Sequence, residues 1–282
     1  MGRRTPTPAL LARRGGIDSS AVLLAKVILW ALPAVFLAPP VLDMLLSVIH
    51  GLRLGEDPGG DPEAGTVLFI EPVRAFGVRW GARSVAAGLR RAGFAGEFRY
   101  WSWQQPWRAW LIVPVVRGRG VLRREAERLA AFIEAHRREH PGRAIHVVGY
   151  SAGGFVAAEA LRRLGGGVTV DSAVLLAPAV SPGFDLAAPA GHVRRALVVT
   201  ASPLDWAIVG AGTLVLGTCD GRHTPSAGMV GLRGRQAGRV VQVRWRPSML
   251  KLGHWGGHFG VSAPAFVAER LAGHMGIGRA GA

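Results

Sequence analysis

The chain has 282 residues with a formal charge of +16; 49% of them are apolar and 18% charged, so there is material for one large or two small domains with a sizeable core. A charge so positive raises nucleic acid or an anionic membrane as partners, but it is almost all Arg, in runs no longer than two, with Lys only at Lys26 and Lys251. No zinc spacing, RNP pattern or basic-region heptad accompanies it, which argues against nucleic acid, and the single cysteine, Cys219, excludes an internal disulfide and a Cys-built metal site.

In chain order, residues 1–20 are basic and polar. Residues 21–38, AVLLAKVILWALPAVFLA, carry one charge and approach the ~20 apolar residues that cross a bilayer. We read 21–54 as a hydrophobic anchor region containing a single membrane-type helix. A soluble amphipathic N-terminal arm, a hairpin turning at Pro39 and Pro40, or a cleaved signal are the alternatives. Arg3, Arg4, Arg13 and Arg14 precede the helix and only Arg53 follows closely. The positive-inside rule then puts the globular part on the non-cytoplasmic side. Residues 55–65, GEDPGGDPEAG, read as an acidic linker.

From Thr66 to about residue 275, short apolar runs alternate with amphipathic stretches. Strands are expected at 66–70, 97–103, 144–150, 172–178, 196–201 and 240–245. Helices are expected at 80–92, 120–138, 152–164 and 263–274. Strands that are apolar on both faces and alternate with helices predict an α/β domain. Its mostly parallel sheet would have about six strands flanked by helices. Between 172–178 and 196–201 the chain is too short for a large cap, whereas 206–238 is long enough for a helix and a loop.

One motif stands where a strand expected at 144–149 meets the helix expected at 152: Gly149-Tyr150-Ser151-Ala152-Gly153. A serine on so sharp a turn needs glycines two positions to either side, because side chains there would meet the neighbouring strand and helix. Asp205 follows the 196–201 strand in Ser202-Pro203-Leu204-Asp205. Two histidines follow the last strand in Gly253-His254-Trp255-Gly256-Gly257-His258-Phe259-Gly260. The His-x3-His spacing does not make a zinc-protease helix, since Gly256 and Gly257 separate the pair and no Glu stands beside the first His.

This strand–turn–helix motif, followed by an acid and then a His, resembles the α/β-hydrolase superfamily over residues 66–275. The resemblance implies a serine hydrolase that cleaves an ester, thioester or amide, most readily a carboxylic ester or lipid, through a Ser-His-Asp acyl-enzyme. It implies no cofactor and no metal. Ser151 would be the nucleophile, Asp205 the acid and His258 the base, with Asp185 and His254 as alternates. Asp171 precedes its strand and so belongs to the opposite edge of the sheet; Asp220 is a further rival. The Ala152 N–H would be one oxyanion donor and Val73, from the loop after 66–70, the other. The HGGG motif of many lipases is missing, which leaves the substrate class open. Trp101, Trp103, Trp107, Trp110, Trp206, Trp245 and Trp255 fall at strand ends or beside the His loop, and suit either an aromatic rim or core packing. A catalytically silent scaffold at the membrane and an acyltransferase using the same triad are the competing functions.

Overall fold

The computed structural model describes residues 19–71, 79–101, 119–234 and 238–278; the side chains of 19–25, 27–36 and Trp80 fall outside that description. The chain divides into two compact units, residues 1–39 and 40–282.

The second unit is built on six parallel strands: β1 (Asp61–Ile70), β2 (Gly96–Trp101), β3 (Ile145–Tyr150), β4 (Ser172–Leu176), β5 (Leu197–Ala201) and β6 (Val240–Arg244). Their order in the sheet is β2-β1-β3-β4-β5-β6. Every pairing is parallel. The strands β3, β4 and β5 are buried at every position, which is why they read as unbroken apolar runs rather than alternating ones.

The helices α2 (Trp80–Arg91), α3 (Arg119–Glu139) and α4 (Ala152–Arg163) cover the two faces of the sheet. On one face Leu122, Leu129 and Ile133 of α3 join Val156 and Leu161 of α4 against Ile145, Val147 and Leu175. On the other, Val85 and Leu89 of α2 pack with Phe266, Val267 and Leu271 of the final helical segment, 264–275. Ile133 is fully buried, so Ile133→Ala should cost about 2–5 kcal/mol. Urea unfolding measures this; a midpoint equal to that of the wild type would contradict the packing described.

Three differences from the sequence reading have physical causes. First, β1 begins at Asp61 and takes in half of the expected linker, with a register irregularity between Asp61 and Thr66. The other half is tied down as well, because the Arg90 guanidinium donates to both Asp57 carboxylate oxygens at 2.8 Å. An acidic Gly/Pro stretch reads as solvated until a cation from another element meets it. Second, α1 runs from Ser19 to Arg53, so Pro39 and Pro40 lie within it and no hairpin turn is found there. Two prolines remove two backbone donors but still fit helical φ.

Third, the second compact unit begins at Pro40, not after residue 54. The residues from 40 to 53, expected to belong to an anchor, are therefore part of the domain. They bury Asp43 and leave Val41, Leu42, Leu45 and Ile49 exposed. Among the described residues no helix is long and apolar enough to cross a membrane. The expected anchor, 21–38, falls mostly on residues whose side chains are outside that description.

Candidate active site

The site lies at the carboxyl ends of the strands, where ligands gather on open parallel sheets. Ser151 links β3 to α4 with φ 54° and ψ −121°. Among the described residues only Ser151 and Ala177 are non-glycines with positive φ. Three backbone bonds hold this conformation. Ser151 N–H donates to the Leu176 carbonyl at 2.8 Å, and its own carbonyl accepts from Gly154 at 3.0 Å and Ala179 at 3.2 Å. Such strain persists only where the surroundings over-determine it.

The flanking glycines are required by their neighbours. A Cβ on Gly149 would stand 2.5 Å from the Gly153 carbonyl oxygen, and one on Gly153 would stand 2.2 Å from that of Ile70. A Cβ on Gly154 would meet Pro178 at 2.9 Å. The pattern around Ser151 is thus a packing requirement between β3, α4 and β1. Ala152 is the first residue of α4, so its N–H is among those without a partner inside the helix and at its positive end. Val73, the other expected oxyanion donor, lies outside the described residues.

The structure brings Asp205 and His258 together. His258 Nδ1 and Asp205 Oδ2 are 2.6 Å apart, and both side chains are buried. The His258 ring lies 5.0 Å from the ring of Tyr150, the residue before Ser151. The Tyr150 hydroxyl donates to the His258 carbonyl at 3.1 Å. Burial pushes the Asp205 carboxyl up, while His258 and the Val209 N–H pull it back. Burial also raises the Tyr150 phenol, helped by the carboxylates of Asp205, Glu71 and Asp43. Tyr150 is therefore a neutral hydrogen-bond donor at ordinary pH.

The alternates go elsewhere. Asp185 is on the surface, where it accepts the Ala187 N–H and faces Arg162 at 3.7 Å. Asp171 accepts the Ile145 N–H at 2.8 Å at the far edge of the sheet. Asp220 holds the backbone and hydroxyl of Ser181. His254 is buried against Phe266, ring centroids 4.6 Å apart, and its Nδ1 accepts the Gly256 N–H at 3.2 Å. Burial keeps this ring neutral, its pKa pushed down to about 3.

His146 is likewise pushed down to about 4 by burial. Unfolded histidines titrate near 6.5. Between those values the unfolded chain binds protons that the folded chain refuses, so stability falls as pH drops from about 6.5 towards 4. The melting temperature should decline across that window, and less steeply in His254→Asn. Equal slopes for variant and wild type would remove His254 as a cause.

Three further residues support the His loop, and of these only Trp245 stood out in the sequence. The Ser202 hydroxyl donates to the Gly256 carbonyl at 2.5 Å, tying the end of β5 to the loop. The Trp245 Nε1–H donates to the His254 carbonyl at 3.0 Å. Asp43, from α1, accepts the Phe259 N–H at 2.9 Å. Residue type alone does not mark these for the His loop, and only three-dimensional neighbours distinguish them.

Trp103, Trp107 and Trp110 lie outside the described residues. Trp101 packs edge-on against Phe132, ring centroids 5.5 Å apart, on the core side. Trp255 is exposed. After Asp205, 207–216 is helical and exposes Ile208, Leu214 and Val215. Between β4 and β5 the only helix is Ala187–Gly191, so no cap is inserted there among the described residues. No cluster of three or more metal-ligating side chains occurs among the described residues.

Residues 125–212 match the family model described as serine aminopeptidase, S33. The matched segment runs from α3 through Ser151 to just beyond Asp205. That match and the all-parallel sheet together show the resemblance to the α/β-hydrolase superfamily and point to a hydrolase. No curated protein matches the chain.

Proposed function

We propose that the protein is a serine hydrolase that transfers an acyl group from an ester, thioester or amide to water. The observation that carries this reading is the 2.6 Å contact between His258 Nδ1 and Asp205 Oδ2, with the His258 ring packed on Tyr150, the residue before the strained turn at Ser151. In the proposed cycle Ser151 Oγ attacks the carbonyl carbon while His258 Nε2 takes its proton. Asp205 keeps the other ring nitrogen protonated and stabilises the imidazolium. The Ala152 N–H, at the start of α4, donates to the developing oxyanion. His258 then returns the proton to the leaving group, and the acyl-enzyme forms on Ser151. Water, deprotonated by the same ring, releases the acid.

The substrate is proposed to be a carboxylic ester or lipid. Support comes from exposed apolar side chains on the Asp205 and His258 segments, namely Leu204, Ile208, Leu214, Val215 and Trp255. The matched family is named for an aminopeptidase, so an amide remains within the proposal. We also propose, from the sequence of 21–38 alone, an anchor that holds the domain on the non-cytoplasmic side of a membrane. Retention in the pellet after alkaline carbonate washing supports the anchor, and release into the supernatant removes it.

Covalent labelling of the folded full-length chain by a fluorophosphonate probe, with Ser151→Ala as control, tests the enzyme. Labelling that vanishes in the variant is expected. A folded wild type that takes up no label would favour the silent scaffold instead. Product analysis with an added alcohol separates hydrolysis from acyl transfer.

A further inference from the structure

Asp43 is a charged residue in an otherwise apolar stretch of α1, yet it is only 3% exposed. Burying an ionised carboxylate is costly unless donors meet it. The donors come from the His loop. Phe259 N–H donates to Asp43 Oδ2 at 2.9 Å, and Gly260 N–H is shared between Oδ1 at 3.2 Å and Oδ2 at 3.3 Å. The loop is bare of side chains where the carboxylate enters. A Cβ on Gly257 would stand 2.3 Å from Asp43 Oδ2, and one on Gly260 would stand 2.7 Å from Oδ1. The glycines on either side of His258 and Phe259 therefore make room for a carboxylate from another element.

The same helix covers the acid–base pair. Pro40 lines a narrow crevice with Leu204, Asp205, Ile208, Gly257 and His258. Asp43 lies close enough to His258 and Asp205 to act on both electrostatically.

We propose that Asp43 is a positioning residue, which fixes the His258 ring by holding the Phe259 and Gly260 N–H groups from α1. The proposal rests on the reading of His258 as the general base. Removing the carboxylate lets the loop shift, and a misplacement of about 1 Å lowers acyl transfer by roughly 10²-fold. Substrate contacts are untouched, so the loss falls on kcat and leaves KM within about twofold.

The test uses the full-length chain with p-nitrophenyl butyrate and the fluorophosphonate probe. In Asp43→Ala, kcat and labelling rate should both fall by about 10–100-fold, and added formate should restore part of the loss by occupying the vacated site. Asp43→Asn retains one acceptor oxygen and should fall between alanine and wild type with KM unchanged. If the alanine variant does not fold, the asparagine variant alone decides, and wild-type kcat in it overturns the proposal. Folded alanine and asparagine variants with equal losses and no response to formate would mark a merely structural role and also overturn it. Failure of the underlying enzyme reading looks different, because the wild type itself then shows no Ser151-dependent labelling.

Discussion

His258→Ala is expected to lower kcat on an activated ester by roughly 10⁴–10⁶-fold, while His254→Asn leaves it within a few-fold of wild type. The two rings stand four residues apart in one glycine-rich loop, yet their surroundings differ in kind. His258 Nδ1 meets a buried carboxylate at 2.6 Å. His254 Nδ1 meets a backbone N–H, and no acid contributes to its shift. A ring held by a carboxylate can take a proton and be stabilised as the cation. One that accepts an N–H in an apolar pocket resists protonation. Asp205→Asn should follow His258→Ala with a loss of about 10⁴-fold, since the amide presents the wrong partner to the ring. Steady-state rates of the three folded variants test the assignment. Loss of activity in the His254 variant with retention in the His258 variant would reverse it.

Gly153→Ala is expected to be among the most damaging single-methyl changes in the domain. The new Cβ would lie 2.2 Å from the Ile70 carbonyl oxygen and 2.9 Å from its carbonyl carbon. Both are backbone atoms of β1, which β2 and β3 pin on either side, so neither can yield cheaply. Overpacking of this kind costs about 3 kcal/mol or more, a drop of roughly 6–12 °C in melting temperature for a domain of this size. The α4 start would shift with it, and the Ala152 N–H would leave its place beside Ser151. Labelling should therefore fall even in the folded fraction. Gly166→Ala is the control, because nothing lies within 4 Å of its added Cβ. Scanning calorimetry with probe labelling decides the matter. A Gly153→Ala protein that melts and labels like the wild type would show that the turn is not as tight as described.

The same contrast separates what was legible in the sequence from what was not. The interior strands were readable because burial on both faces demands continuous apolar runs, as in 145–150 and 197–201. The Ser151 turn was readable because its constraints are local. The glycines at 149 and 153 answer to backbone atoms of the same strand–turn–helix unit and of the adjoining β1. Chain order was enough to place an acid after β5 and two histidines after β6.

The sequence by itself therefore determined the layered α/β domain, the elbow at Ser151 and a short set of partners for it. The tertiary structure brought one pair of them, Asp205 and His258, into contact and tied other residues to the same loop. Whether Asp205 or Asp185 meets a histidine depends on where the loop after each strand turns, and no spacing encodes that. Asp43 lies 216 residues before Phe259, inside a run that reads as membrane-seeking, and its carboxylate acquires a purpose only when α1 packs on the His loop. Sterics within a turn act between neighbours in the chain and leave a mark on residue type. The pairing of a buried charge with distant backbone donors leaves none until the chain has folded.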